Sequence, residues 1–126
     1  GNNVWRYYVD DEIDYTYTGM AENEYGWWKI SNGVIDLSYN GISSNEYGTW
    51  KVISGTVDLT ANGLIFDDIT DKWWYFNQGA IDFNYTGLAE NEYGLWKVTN
   101  GAVDLSFNGP VAYMGIVYNI VNGHAV

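Results

Sequence analysis

A period of about 22 residues runs through the whole chain and restricts its fold more than any other property. Trp5, Trp28, Trp50, Trp74, Trp96 and then Tyr118 stand 23, 22, 24, 22 and 22 residues apart. Gly33, Gly55, Gly79, Gly101 and Gly123 keep the same beat, as do Asp14, Asp36, Asp58, Asp82 and Asp104. A further glycine series follows at Gly19, Gly41, Gly63, Gly87 and Gly109. Four series in phase make this a tandem repeat of about six copies.

One copy reads Trp28-Lys29-Ile30-Ser31-Asn32-Gly33-Val34-Ile35-Asp36-Leu37-Ser38-Tyr39-Asn40-Gly41. Two runs rich in β-branched and aromatic residues flank Asn-Gly, the strongest short signal for a β-hairpin turn. Asn100-Gly101 and Asn122-Gly123 repeat it, with Ser54-Gly55 and Gln78-Gly79 as weaker versions. Glycine at such close intervals disfavours helix. A two-residue turn at Asn32-Gly33 sets Ile30 opposite Ile35, Lys29 opposite Asp36 and Trp28 opposite Leu37. Side chains alternate faces along a strand, so Trp28, Ile30, Ile35, Leu37 and Tyr39 fall on one face, and Lys29, Asp36 and Ser38 on the other. The same folding sets Lys51 opposite Asp58 and Lys97 opposite Asp104, while Tyr75 faces Asp82. At the N-terminus a three-residue loop sets Arg6 opposite Asp14 and Trp5 opposite Tyr15.

A lone hairpin is marginal in water, so each apolar face must be covered by the neighbouring copies. The expected fold is all-β: one repeat domain over 1–126, a stack or solenoid of tandem β-hairpins with units near 5–15, 28–39, 50–61, 74–85, 96–107 and 118–126. Gly1 reads as a cloning remnant. The last copy stops at Val126 before its second strand is complete, as a cap or a cut end would.

Charge and composition narrow the partners. Sixteen Asp+Glu against 5 Lys+Arg give a formal charge of −11, which repels phosphate backbones and anionic headgroups, so nucleic acid is not an expected partner. No apolar run approaches the ~18 residues that span a bilayer, and no membrane insertion is expected. Cysteine is absent and His124 is the one histidine, so neither thiol nor Ser-His chemistry can be assembled. The acids recur at equivalent positions, which singles out no carboxylate pair for glycoside hydrolysis. The chain is expected not to be an enzyme, and to need no cofactor. The Asp ladder faces Lys and reads as cross-strand ion pairs rather than as a metal column; Asp67, Asp68 and Asp71 form the densest acidic spot.

The phrase Tyr17-Thr18-Gly19-Met20-Ala21-Glu22-Asn23-Glu24-Tyr25-Gly26-Trp27-Trp28-Lys29, nearly repeated from Tyr85 to Lys97, resembles the aromatic-glycine repeats of Gram-positive cell-wall-binding proteins. The resemblance covers essentially the whole chain. It implies a secreted, cell-surface module that attaches to wall polysaccharide or a teichoic-acid-like polymer, or in an adhesin or toxin tail to a host glycan. The related choline-binding repeats place a Trp after each Thr-Gly to complete an aromatic cage. Here those positions hold Met20, Ile42, Leu64, Leu88 and Pro110, so the resemblance is to the broader wall-binding type.

The regular Trp ladder reads as core packing. Trp27 and Trp73 precede ladder positions and point to the opposite face, where other copies carry Thr49, Leu95 and Val117. They are candidate stacking platforms, with packing between copies as the alternative. In the loops Glu22–Gly26, Asn45–Gly48 and Glu90–Gly94, Tyr25, Tyr47 and Tyr93 sit beside Asn23, Asn45 and Asn91, a combination suited to sugar hydroxyls. Alternatively, Tyr covers the next hairpin's edge while Asn makes turn bonds. If Tyr is the ligand contact, the departing loops Asp67–Lys72 and Pro110–Gly115 are empty sites. The competing function is a structural spacer or protein–protein adhesion segment, which predicts that Trp27, Trp73 and the loop tyrosines are all buried.

Overall fold

A computed structural model describes residues 5–126. Among them there is no helix, and the chain is all-β, built of antiparallel hairpins. It divides into two compact units, Gly1–Leu59 and Thr60–Val126. In the first, β1 (Tyr8–Val9) and β2 (Glu12–Ile13) form a short hairpin. One copy follows as β3 (Gly19–Asn23), β4 (Gly26–Ser31) and β5 (Val34–Ile35), and another as β6 (Gly41–Asn45), β7 (Gly48–Ile53) and β8 (Thr56–Val57). The second unit holds three copies. These are β9 (Gly63–Asp67), β10 (Lys72–Asn77) and β11 (Ala80–Ile81); β12 (Gly87–Asn91), β13 (Gly94–Thr99) and β14 (Ala102–Val103); and β15 (Gly109–Tyr113), β16 (Ile116–Val121) and β17 (His124–Ala125).

Each full copy has two turns, one at each end of its longest strand. The Asn-Gly turn behaves as its sequence requires: Ile30 pairs with Ile35 and Ser31 with Val34. Asn32 and Gly33 have φ of 50° and 81°, the two positive values of a type I′ turn. That ladder is only two pairs deep. The longer hairpin lies on the other side, with Gly19↔Ile30 through Asn23↔Gly26 closing over Glu24-Tyr25. The segments expected as loops between hairpins are thus the tips of the main hairpins, and the expected 28–39 and 50–61 units contain only half of each.

The Asn-Gly turn also joins successive copies. Gly33 donates its N–H to Tyr17 O at 2.8 Å and accepts from Tyr7 N at 2.8 Å. Gly55 does the same with Tyr39 O (3.0 Å) and Lys29 N (2.7 Å). In the second unit Gly101 bonds Tyr85 O and Tyr75 N, and Gly123 bonds Phe107 O and Lys97 N. The approach is close enough that a Cβ on Gly55 would lie 2.5 Å from Asp36 O.

Three sequence expectations about faces are corrected. First, Lys29 and Lys97 are 8% and 6% exposed, so they do not line a solvated face. Met20, paired with Lys29, is buried as well. Each ammonium instead lies over an aromatic ring ten residues on: Lys29 over Tyr39 and Lys97 over Phe107, both at 4.5 Å. Stacked tyrosines fill the same slot elsewhere, Tyr7 on Tyr17 at 3.9 Å and Tyr75 on Tyr85 at 4.0 Å. Second, the carboxylates opposite these lysines brace their own turns. Asp36 accepts from Ser38 N, Ser38 Oγ and Ser31 Oγ, and Asp104 from Ser106 and Thr99 in the same way. The chain turns away there, which leaves Leu37 exposed rather than opposite Trp28. Third, the N-terminal hairpin closes over two residues, Asp10-Asp11, with Tyr8↔Ile13. Asp14 N therefore bonds Tyr7 O at 2.8 Å, and Arg6 bridges Val34.

The first unit buries Met20, Ile30 and Val52. The second buries a cluster of Leu64, Ala89 and Val98, covered by Trp73, Tyr75, Tyr85, Trp96 and Val103. Burying a Val or Leu completely contributes about 1.5–3 kcal/mol, and each copy adds such residues at the same place. The ladder residues Trp28, Trp50 and Trp96 are half-buried, and Trp96 packs against the cluster of the second unit.

Candidate ligand-binding site

The main hairpin ends on an asparagine in three copies. Asn23 Oδ1 accepts from Tyr25 N at 2.8 Å and from Trp28 Nε1 at 3.0 Å. Asn45 holds Tyr47 N (2.8 Å) and Trp50 Nε1 (2.9 Å), and Asn91 holds Tyr93 N (2.8 Å) and Trp96 Nε1 (2.9 Å). An indole N–H needs an acceptor when it leaves water, and a short side chain at a turn can bridge to the backbone two residues on. One amide oxygen does both. The three asparagines' acceptor oxygens are thus committed within the protein. The departing loop Asp67–Lys72 solves the same problem differently: Asp67 Oδ2 accepts from Thr70 N and Oγ1, and Thr70 Oγ1 accepts from Trp74 Nε1 at 2.9 Å.

Pinning the tip leaves its tyrosine outside. Tyr25, Tyr47 and Tyr93 are 70%, 71% and 66% exposed. Each meets, edge to face, a tryptophan of the preceding copy: Trp5–Tyr25 at 5.9 Å, Trp27–Tyr47 at 5.8 Å and Trp73–Tyr93 at 6.0 Å. Trp27 and Trp73 are half-buried. Trp5 therefore belongs with Trp27 and Trp73 rather than with the ladder expected from spacing. The bridge Arg6↔Val34 matches Trp28↔Thr56 and Trp74↔Ala102, so Arg6 holds the first ladder position. The 23-residue first step in the Trp series was the sign of this offset.

These pairs wall two matching clefts. In the first unit Trp27, Tyr47, Trp50, Val57 and Leu59 enclose about 470 Å³. In the second Trp73, Tyr93, Trp96, Val103 and Leu105 enclose about 370 Å³, with Asp71 and Lys72 at the rim. The five wall residues of one lie 46 positions from those of the other, two repeats apart. Leu59 and Leu105, exposed where the chain turns away after Asp58 and Asp104, complete the apolar wall. Sequence reasoning missed these leucines because it kept them in register on the hairpin face. A third recess, at Trp5, Asn23, Trp28 and Ile35, adds Arg6, Tyr7 and Tyr8. At the last copy His124 stacks on Trp96 at 4.3 Å.

Size and chemistry fit small-ligand sites, which are usually clefts of ~300–1,000 Å³ with apolar walls and few polar groups. Glu24, Glu46 and Glu92 are exposed at the tips, so the surroundings are anionic. Among the described residues no three His, Asp or Glu side chains converge as metal ligands. No protein-family model matches the chain, and no curated protein matches it.

Proposed function

We propose that this chain is a non-catalytic attachment module of a secreted, cell-surface protein, binding wall polysaccharide or another glycan through repeated aromatic contacts. The observation that carries the reading is the Trp–Tyr edge-to-face pair. It occurs three times with the same 20-residue offset between partners (5 to 25, 27 to 47, 73 to 93), each time leaving the tyrosine mostly outside. A tyrosine needed only to cover a hairpin edge would be buried there. Flat, partly exposed aromatic walls suit the C–H faces of sugar rings, and repeated weak sites on a linear polymer gain from multivalency. The charge of −11 favours a neutral polysaccharide over a phosphate-rich, teichoic-acid-like one.

Co-sedimentation with Gram-positive cell walls tests the proposal. Wild-type protein is expected in the pellet, and Trp27→Ala/Trp73→Ala in the supernatant at the same protein concentration. Protein that stays in solution with walls and with every isolated wall polysaccharide would overturn it. The spacer reading draws on a different observation. The Gly33, Gly55, Gly101 and Gly123 peptide groups are spent on joining successive copies, and the three asparagine oxygens on bracing their own hairpin tips. That reading gives Tyr25, Tyr47 and Tyr93 only their edge contact with the preceding copy and leaves their exposed surface unused.

A further inference from the structure

We propose that a second, polar recess beside the first aromatic cleft binds hydroxyl groups of the same glycan, with Asn45 as its hydrogen-bond donor. The inference rests on the carbohydrate reading above. The recess encloses about 340 Å³ and is lined by Tyr17, Met20, Glu22, Trp27, Asn45 and Glu46, together with Tyr7 and Ala21. Trp27 lines both this recess and the aromatic cleft, so a chain stacked on it can reach into either.

The bonding of Asn45 fixes what it can offer. Its Oδ1 accepts from Tyr47 N and Trp50 Nε1, two donors that only the carbonyl end of the amide can satisfy. The other end is therefore the NH₂ group. Asn45 Nδ2 is buried and has no hydrogen-bond partner, and it is the one such side-chain atom among the described residues. Native structures rarely leave a buried donor unpaired, so an acceptor from outside the chain belongs there. Glu22 and Glu46 are exposed carboxylates on the same recess. They repel a phosphate or carboxylate ligand and accept hydrogen bonds from hydroxyl groups. A donor amide, two acceptor carboxylates and the Trp27 ring together select a neutral polyol: a sugar residue whose hydroxyl oxygen accepts from Asn45 while its O–H groups donate to the glutamates.

Asn45→Asp keeps an acceptor oxygen for Tyr47 N and Trp50 Nε1 and deletes the donor. Asp67, at the matching end of β9, is itself buried, so the fold already accommodates a carboxylate at this position. The probe is a soluble neutral polysaccharide digest of Gram-positive walls, titrated into the full chain. Asn45→Asp is expected to weaken binding by about fivefold or more, the loss of one buried hydrogen bond. In ¹H–¹⁵N spectra the Asn45 side-chain NH₂ signals are expected to shift on titration. Should Asn45→Asp fail to fold, those signals and the surface variant Glu22→Ala/Glu46→Ala, expected to lose about as much affinity, decide the matter. If wild type binds but Asn45→Asp binds equally well and the NH₂ signals stay still, the recess holds only water and this proposal falls while the cleft reading stands. If wild type binds no fragment, both fall.

Discussion

The two turns at opposite ends of each long strand do opposite things. At one end Asn-Gly folds against the preceding copy, bonding through both its N–H and its C=O. At the other, Glu-Tyr is held by one asparagine oxygen, and its tyrosine stands in solvent. The first turn is backbone against backbone, so it depends on glycine and on a fixed separation. The second is side chain against side chain, and copies vary it freely: Glu-Tyr, the Asp67–Lys72 loop, or Met114-Gly115. A repeat protein can thus hold its stack constant along one edge while changing the other edge from copy to copy.

The largest expected effect tests the seam. Gly55→Ala forces a left-handed φ of +81° on an L side chain and drives its Cβ to 2.5 Å from Asp36 O. A cost of about 3 kcal/mol or more is expected, of which ~1–2 kcal/mol is the φ penalty. Gly115 supplies the control, because it has nearly the same φ of +82° at a tip with nothing within 4 Å. Gly115→Ala is expected to cost only the ~1–2 kcal/mol of φ strain. Urea unfolding of the pair isolates the contact. Equal losses would show that the approach between copies contributes nothing.

Next in size is the tip's single support. Asn91→Ala leaves Tyr93 N and Trp96 Nε1 without their acceptor, and a loss of about 1–2 kcal/mol in the same assay is expected. Tyr93→Ala, by contrast, removes an exposed ring and is expected to change stability by less than about 0.5 kcal/mol. Its effect should appear in glycan binding, weakened about fivefold or more if the ring is a contact of the usual strength. A Tyr93→Ala protein that unfolds readily yet binds normally would make the tip a structural element, as the seam is.

The seam was legible in the sequence and the tip was not, for a physical reason. Asn-Gly has a narrow set of conformations, so it announces both turn type and register, and Ile30 does face Ile35. Glu24-Tyr25 carries no such restriction, so Glu22–Gly26 looks in sequence like a linking loop although it contains the tip of the longer hairpin. The candidate aromatics were visible as departures from the period, at Trp27 and Trp73. Their partners were not, because each pair joins residues of different copies. The buried lysines misled most. Lys opposite Asp suggests an ion pair, but the copies also exchange Lys29 with Tyr39 for Tyr7 with Tyr17, and Lys97 with Phe107 for Tyr75 with Tyr85. That exchange ten residues apart is the mark of a ring-on-cation slot, and it could have been read from the repeat alignment.

The smallest expected effect is a pH dependence confined to the seam side. The hydroxyl of Ser38, then its N–H and the Ser31 hydroxyl, hold the Asp36 carboxyl below its ordinary value of 3.8. Ser106 and Thr99 do the same for Asp104. A carboxyl depressed in the folded state stabilises the fold above its unfolded pKa, and that stability is lost as pH falls through the folded value. Tm is therefore expected to be flat down to about pH 4 and to decline below it, with only a modest slope because both residues are partly open to solvent. Ser38→Ala/Ser106→Ala is expected to shallow that decline without altering neutral-pH glycan binding, since neither serine lines the aromatic clefts. Burial depresses Lys29 and raises Tyr17 and Tyr85, and at alkaline pH the two act against each other. The lysine gains stability as pH rises toward its unfolded value of 10.5, and the tyrosines lose it as pH rises through their raised values. A steep acid transition in the serine variant, unchanged from wild type, would mean that the Asp-braced turns are not what acid attacks first.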